Sequence, residues 1–341
     1  MERRKRFKKR QTVCLFLLIL ITSLISIFYI LSHFVFNCEP KIVIAENFNE
    51  IEPEFLTNGT IYFMETHNSI DHQLTAREAC AIESAAFMNP NEKIVVLFLT
   101  PDDHIQLSSW NDFKPILSYK NVHLKYITMK EFTKDTKIEK WLETEALKTS
   151  KYIVSHTSDI LRYVLLYKYS GVYLDLDVIT VDSLNNLDLP NYACYHTDGG
   201  VINSGIIKLS GDEGKKFADM MINEIVDNYD GSEYNNLGPA VITKTVKKYC
   251  EVLNFTEFYG CKDFTVLHQS SCYAVGWDEW YKLFKDRYAD EAMDKIKKSV
   301  FVHLWNSTNK GRTISKFNDA ALNRIAAKFC PKVFESAVTR L

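Results

Sequence analysis

The sequence predicts an α/β protein with a central mixed, mostly parallel sheet flanked by helices, and three observations carry that expectation. Apolar, partly β-branched runs at residues 60–64, 94–100 and 122–127 have the length and composition of buried strands. Between the first two, residues 75–88 set Ala, Arg, Glu, Cys and Ile at helical spacing and stop at Asn89-Pro90. A strand, a helix and a strand in that order begin a parallel α/β unit. No Gly/Ser-rich or Pro-rich linker and no internal repeat interrupts the body, so residues 59–341 are expected to form one domain.

The later elements follow from the same signals. Residues 138–147 read as a helix, and 159–169 as a second one with Ser155, Thr157 or Ser158 available to cap it. A short strand at 172–174 runs into the acid pair Asp175 and Asp177, and the sheet continues at 206–209. Helical patterns at 214–229 and 239–249 come next, the latter with Pro239 at its first position after Gly238. Strands at 264–268 and 300–305 complete the domain.

Ahead of the body, residues 1–12 hold seven bases and one acid, and 13–31 form a nearly pure apolar run. At ~1.5 Å per residue that run spans the ~30 Å hydrocarbon layer as one helix. The basic flank places the N-terminus in the cytoplasm and the body on the other side. A cleaved signal peptide is the competing reading. The run is long for a signal core, however, and His33-Phe34-Val35-Phe36-Asn37 offers no small-residue cleavage site. The expected arrangement is therefore a signal-anchor followed by a stem at 32–58, polar from about Asn37 onward.

Charge and cysteines agree with this placement. The whole chain carries −2, but with the first ten residues set aside the remainder carries −8. An acidic body lacks the concentrated basic surface that a nucleic-acid phosphate track requires. Seven cysteines lie beyond the apolar run: Cys38, Cys80, Cys194, Cys250, Cys261, Cys272 and Cys330. In an oxidising lumen they form up to three disulfides and leave one over, with Cys38 in the stem the candidate. Their spacing matches neither a zinc knuckle nor a redox pair. Three glycosylation sequons, at Asn58, Asn254 and Asn306, fit the same compartment.

The chemistry concentrates in residues 158–180, SDILRYVLLYKYSGVYLDLDVIT. Asp175 and Asp177 are two apart, so on a strand both side chains leave one face while Leu176 turns to the core. On a straight strand their Cα atoms would stand nearly 7 Å apart, at about 3.3 Å rise per residue. That is wide for joint chelation, so the strand is expected to end here, with one carboxylate ligating a divalent cation while the other binds it through water or holds a sugar hydroxyl. A hard ion such as Mn²⁺ or Mg²⁺, completed by substrate phosphates, would act as a Lewis acid on a leaving diphosphate. The bland alternative is two acids ending a strand at the surface.

Asp159 and Arg162 share a helical face, which by itself reads as a weak surface ion pair. Beside the acid pair, they and the helix N-terminus converge on a donor's diphosphate and sugar. Gly171 permits a close turn between helix and strand. The polar segment 198–205, with Asn203 and Gly205, reads as a loop returning toward the C-terminal edge of the sheet, where ligands bind in α/β folds. His303 and Trp305 alternate onto one strand face, a core pair or a metal ligand with its neighbour. Tyr273, Trp277, Trp280 and Tyr281 form either a sugar-stacking wall, a packed core or a membrane-facing patch.

Ser158-Asp159-Ile-Leu-Arg162 followed by Tyr-Ser-Gly171-Val-Tyr-Leu-Asp175-Leu-Asp177 resembles the signature of retaining glycosyltransferases with a DXD sugar-binding region. The nearer resemblance is to Golgi α-1,4-glycosyltransferases acting on lactosylceramide-like glycolipids or N-acetylglucosamine-capped glycans. Asn203-Ser-Gly205, Asn236-Leu-Gly-Pro239-Ala, Val302-His-Leu-Trp305-Asn and residues 324–330 fall in the family's order. The resemblance implies a nucleotide-diphosphosugar transferase (GT-A type) fold, a Mn²⁺-assisted (or Mg²⁺-assisted) UDP-sugar donor such as UDP-Gal, UDP-GalNAc or UDP-GlcNAc, and a glycosphingolipid or glycan acceptor. It also implies a single-pass type II protein of the Golgi membrane.

Carried over by position, Asp177 would ligate the metal and Asp175 would contact the nucleotide-sugar or bind metal indirectly. Asp159 and Arg162 would hold the donor sugar, and His303 would be a further metal ligand. Asn203, Gly205, Gly238, Pro239 and Trp305 would line the donor and acceptor sites. The chain departs from the family at Ser170, where a glycine is usual, and this is harmless only if the backbone there is ordinary. A metal-dependent phosphohydrolase and a non-enzymatic carbohydrate-binding protein are the rival readings, and the ordered motif set weighs against both.

Overall fold

The computed structural model describes residues 46–48, 59–68, 71–101, 106–107, 114–198, 200–255, 257–309 and 311–337, all within one compact unit, Val43–Leu341. The basic tail, the apolar run 13–31 and nearly all of the expected stem, with Asn58 and Cys38, lie outside the described residues. Among the described residues, no helix is long and apolar enough to cross a membrane.

The strands are β1 (Glu46–Asn47), β2 (Ile61–Glu65), β3 (Asp71–His72), β4 (Ile94–Leu99), β5 (Gln106–Leu107), β6 (Val122–Ile127), β7 (Gly171–Leu174), β8 (Val178–Thr180), β9 (Asn191–Tyr195), β10 (Ile202–Leu209), β11 (Gly260–Cys261), β12 (Phe264–Leu267) and β13 (Phe301–His303). Nine of them form one sheet in the order β1-β6-β4-β2-β7-β10-β9-β12-β11. The run from β1 to β7 is parallel, β10 is antiparallel to both β7 and β9, and β12 is again parallel to β9. This is the mixed, mostly parallel sheet the sequence predicts.

Both faces of the sheet are covered, which is why its central strands are apolar throughout rather than alternating with polar residues. Ile61 and Phe63 of β2 belong to one core cluster, and Tyr62 and Met64 to the other. The first cluster packs under α1 (Ala76–Met88), which Thr75 and Glu78 begin with a capping box. The second lies under α2 (Ile153–Tyr169), α3 (Gly211–Asn228) and α4 (Pro239–Cys250). Disulfides Cys80–Cys330, Cys194–Cys272 and Cys250–Cys261 account for six of the seven cysteines beyond the apolar run, as expected for an oxidising compartment.

Several boundaries differ from the sequence expectation. The helix predicted from 159 begins at Ile153, with Tyr152 as N-cap and no side-chain cap bond, because nothing in 153–158 breaks it. Ser158 is therefore interior, where it accepts from Arg162 instead of capping. The helix predicted over 138–147 splits into Lys137–Leu142 and a 3-10 turn at Ala146–Thr149. Residues 202–205, expected in a loop, open β10, and its ladder to β9 shifts between Asn203 and Ile207.

The connection from α2 to β7 is strained where a glycine was expected. Ser170 has φ 56° and ψ −174°, a region that costs a side-chain-bearing residue on the order of 1–3 kcal/mol. Its backbone is not ordinary, so the departure from the family pattern has a conformational cost. Gly171 follows at φ 103°, where an added Cβ would stand 2.6 Å from the Thr60 carbonyl oxygen. Ser170→Gly is expected to stabilise the fold by about 1 kcal/mol, the strain relieved less the added freedom of the unfolded chain. An unchanged or lower urea midpoint would refute this.

Candidate functional site

β7 ends at Leu174, and the chain then turns at once, with Val178 N–H donating to the Asp175 carbonyl at 3.0 Å. The strand thus ends at the acid pair, as expected, and the turn removes the separation that a straight strand would impose. One ligand atom from each of Asp175, Asp177 and His303 lies within 4.8 Å of the other two. β13 delivers the histidine because it pairs antiparallel with β8, the strand leaving the turn, and sets His303 opposite Val178.

The two carboxylates have different company. Asp175 Oδ1 accepts from the Tyr173 hydroxyl at 2.8 Å and faces Arg162 Nη2 at 3.2 Å. Asp177 Oδ2 accepts from the Asn306 backbone N–H at 2.8 Å, and its Oδ1 stands 3.2 Å from His303 Nε2. Asp175 is thus bound into the arginine network and Asp177 into the loop that follows His303.

Arg162 is the hub of that network. Its side chain is 6 % exposed, pairs with Asp159 at 3.2 Å as well as Asp175, and donates through Nη1 to the carbonyl and hydroxyl of Ser204 at 2.8 and 2.9 Å. The Tyr173 ring lies 4.7 Å from its guanidinium carbon. Burial disfavours its charge, but Asp175, Tyr173 and Asp159 outweigh burial and raise its proton affinity. These contacts exceed the weak surface pair that the i, i+3 spacing alone suggests.

Burial pushes the Asp159 carboxyl up to about 6 against the pull of Arg162, with Asp175 adding to the rise. The fold therefore favours its neutral form. That stabilisation is fully present below the unfolded value near 3.9 and is lost as pH rises through about 6, by roughly 3 kcal/mol in all. Thermal unfolding of the wild type and Asp159→Asn between pH 4 and 8 is expected to show the wild type losing ground to the variant across that window. Parallel curves would contradict the assignment.

Around these groups lies a cavity of ≈ 1020 Å³. Asp159, Arg162, Asp175, Asp177, Asn203, Pro239, His303 and Trp305 all line it, so most residues singled out from the sequence converge. Gly205 and Gly238 are not among the residues lining the cavity and stand behind the acids. An added Cβ would meet Asp175 Oδ2 at 2.6 Å from position 205, and Asp159 Oδ1 and Ser204 Oγ at 2.8 Å from position 238. These glycines let the carboxylates sit close to the backbone.

Two aromatic expectations change. β13 stops at His303, so Trp305 does not alternate with it along a strand; it adopts φ 57°, and the two rings meet at 4.2 Å between centroids through that kink. The Trp305 indole is buried and donates to the Val275 carbonyl at 2.9 Å. The four-residue aromatic group also separates: Tyr273 is fully buried, Trp280 packs on Tyr281 and Phe284, and Trp277 alone of the four lines the cavity, 53 % exposed. His196, Tyr234 and Glu78 line it too and carried no sequence signal.

Asn306 heads a sequon but is built into the site. Its N–H holds Asp177 and its Oδ1 is buried without a partner, whereas Asn254 is exposed. Peptide mapping of protein from a secretory host is expected to find Asn306 unmodified; a glycan there would be incompatible with this arrangement.

Two family descriptions match the chain in succession. The glycosyltransferase sugar-binding region containing a DXD motif covers residues 75–193, and the alpha 1,4-glycosyltransferase conserved region covers 210–337. Together they take in more than two thirds of the sequence. The human lactosylceramide 4-alpha-galactosyltransferase is 26 % identical over 283 residues, covering 82 % of this chain and 78 % of the relative. The rat protein of that name is 27 % identical, with 82 % and 76 % covered. Human alpha-1,4-N-acetylglucosaminyltransferase is 23 % identical, with 82 % and 80 % covered. Among solved structures, the galactosyltransferase LgtC in complex with donor and acceptor sugar analogs aligns with a TM-score of 0.42 at 13 % identity, over 81 % of this chain and 95 % of that one. The chain is a glycosyltransferase, and its two matched regions are similar to the DXD-containing sugar-binding region and the conserved region of α-1,4-glycosyltransferases.

Proposed function

We propose that the protein transfers a hexose from a UDP-sugar, with retention and in α-1,4 linkage, to a glycolipid or glycan acceptor. The observation that carries this reading is the convergence of Asp175, Asp177 and His303 beside the Arg162 network in one large cavity. Two carboxylates and an imidazole at this spacing suit a divalent ion that accepts mixed oxygen and nitrogen ligands, and Mn²⁺ is the proposed one. When bound, such an ion supplies Lewis-acid stabilisation of the leaving diphosphate. Asp177 and His303 would be its protein ligands, with Asp175 shared between the ion and the donor. Asp159 and Arg162 would orient the donor sugar.

Retention requires either a protein nucleophile or transfer on one face. The acids of the cavity are all engaged: Asp159 and Asp175 by Arg162, Asp177 by Asn306 and His303, and Glu78 by the Thr75 backbone N–H. This favours front-face transfer. The bond from the anomeric carbon to the diphosphate oxygen breaks, the acceptor oxygen bonds to that carbon, and the acceptor hydroxyl proton passes to the departing diphosphate. Trapping a sugar ester on one of these acids would overturn it.

The names of the α-1,4-galactosyl and α-1,4-N-acetylglucosaminyl relatives support galactose or N-acetylglucosamine as the transferred sugar, and lactosylceramide as a first acceptor. UDP-GalNAc is the third candidate donor. The exposed apolar side chains of Val154, Val201, Tyr234 and Trp277 along the cavity fit a sugar face or a lipid-linked acceptor. We further propose a single-pass type II location in the Golgi membrane, supported by the apolar run 13–31 with its basic flank and by the three disulfides.

The test is to incubate the unit Val43–Leu341 with Mn²⁺, each UDP-sugar, and lactosylceramide or N-acetylglucosamine-terminated acceptors, then determine the new linkage. UDP release that needs the acceptor, together with an α-1,4 product, is expected. Acceptor-independent release of phosphate or UMP would favour a phosphohydrolase.

A further inference from the structure

Arg77 lies in the first turn of α1, is 8 % exposed, and makes no ion pair with a carboxylate among the described residues. A buried guanidinium without a contacting anion is costly and calls for a reason. Its Nη1 donates to Oδ1 of Asn309, a residue 1 % exposed, and the Phe284 ring lies 5.6 Å from its guanidinium carbon. The carboxylates that attract its charge are Asp177 and Glu78.

Asn309 passes this anchor on to the loop after His303. Its Nδ2 donates to the carbonyls of Leu304 at 2.6 Å and Trp305 at 2.8 Å. The N–H groups of the same stretch point the other way. Leu304 N–H donates to the Asp177 carbonyl at 2.8 Å, Trp305 N–H to His303 Nδ1 at 3.1 Å and Asn306 N–H to Asp177 Oδ2 at 2.8 Å. One edge of residues 304–306 therefore grips Asp177 and His303 while the other is clamped by Asn309 and Arg77. Trp305 sits in this stretch at φ 57°, a conformation that a bulky residue keeps only when its surroundings impose it.

We propose that Arg77 is a positioning residue for the metal site, acting through Asn309 to hold residues 304–306 so that Asp177 and His303 keep their ligating arrangement. The inference rests on the metal reading of Asp175, Asp177 and His303. A role through charge alone predicts the opposite sign: removing a cation near the site would tighten the binding of another cation. The positioning role predicts that binding weakens, and that Asn309→Ala, which keeps the charge, weakens it equally.

The experiment titrates the full chain in detergent with Mn²⁺, following free ion by electron paramagnetic resonance, for the wild type, Arg77→Met, Asn309→Ala, the double variant and His303→Ala. Each single variant is expected to lose about 10-fold to 100-fold in affinity, the range for groups that orient metal ligands, and the double variant to lose no more than either single one. Unchanged or tighter binding in Arg77→Met, wild-type binding in Asn309→Ala, or additive losses overturn the inference. If Arg77→Met does not fold, Asn309→Ala decides by itself. Wild-type affinity in His303→Ala sinks the metal reading. Weakened binding there with wild-type affinity in both other single variants sinks only the role of Arg77.

Discussion

Replacing Asp177 by Ala is expected to reduce kcat/KM by about 10³-fold or more while leaving the thermal midpoint within a few degrees of the wild type. Lewis-acid stabilisation of a departing diphosphate is worth several kcal/mol, and each ~1.4 kcal/mol is a factor of ten. Asp177 is the residue on which two independent segments meet: the turn after β7 presents it, and the 303–306 segment reaches it with the His303 imidazole and the Asn306 N–H. Truncation would remove the proposed metal ligand and also the anion that holds those groups, so raising the metal concentration should recover only part of the activity. The fold should survive, because the Asp177 side chain lines the cavity and belongs to neither core cluster. The check is a donor-saturation series at rising Mn²⁺, paired with a melting curve. Full activity in a folded Asp175→Ala/Asp177→Ala protein would defeat the proposed mechanism.

That site was legible in the sequence to an unequal degree. The residues announced themselves through spacing: Asp159 and Arg162 on one helix face, the acid pair two apart, and a histidine in an apolar strand. Spacing pointed to the strand ending at the pair, but it could not convey how the chain folds back over residues 175–178 into a strand that pairs with the distant segment carrying His303. The same limit applies to Trp305. Alternation along 300–305 predicts a strand position, but the pull of Asn309 and Asp177 on the backbone at 304–306 overrides it. Long-range partners were the least visible. Ser204, Asn309 and Arg77 are ordinary polar residues in their local windows, and only the fold shows that they brace the charged groups from 42 residues away in one case and 232 in another. The sheet itself was easier, because fully apolar strands and capped amphipathic helices are local signals. Its edges, such as the two-residue β1 and β11, were not, because a pair of residues carries no period.

Arg162→Ala is expected to be the most destabilising single change in the site, by about 3–5 kcal/mol, as when one member of a buried ion pair is removed and its partner stays behind. Two carboxylates would be left, Asp159 at 11 % side-chain exposure and Asp175 at 27 %, with the Ser204 carbonyl and hydroxyl losing their donor as well. Asp159 suffers most, since its carboxyl is already pushed up to about 6 with the arginine present. Without the cation it should protonate at neutral pH to escape the cost. This gives the loss a signature that a mere packing defect would lack: the variant's stability should recover on acidification, and adding Asp159→Asn to Arg162→Ala should restore part of the midpoint at pH 7. Arg162→Lys should not be an adequate substitute. A single ammonium cannot reach Asp159, Asp175, Ser158 and Ser204 together, as the two ends of the guanidinium fork do. Urea unfolding of the three variants and the wild type at pH 5 and 7, with donor KM measured alongside, separates these effects. A pH-independent loss in Arg162→Ala, or a lysine variant with wild-type stability and KM, would show that the network is not held together by the geometry of its arginine.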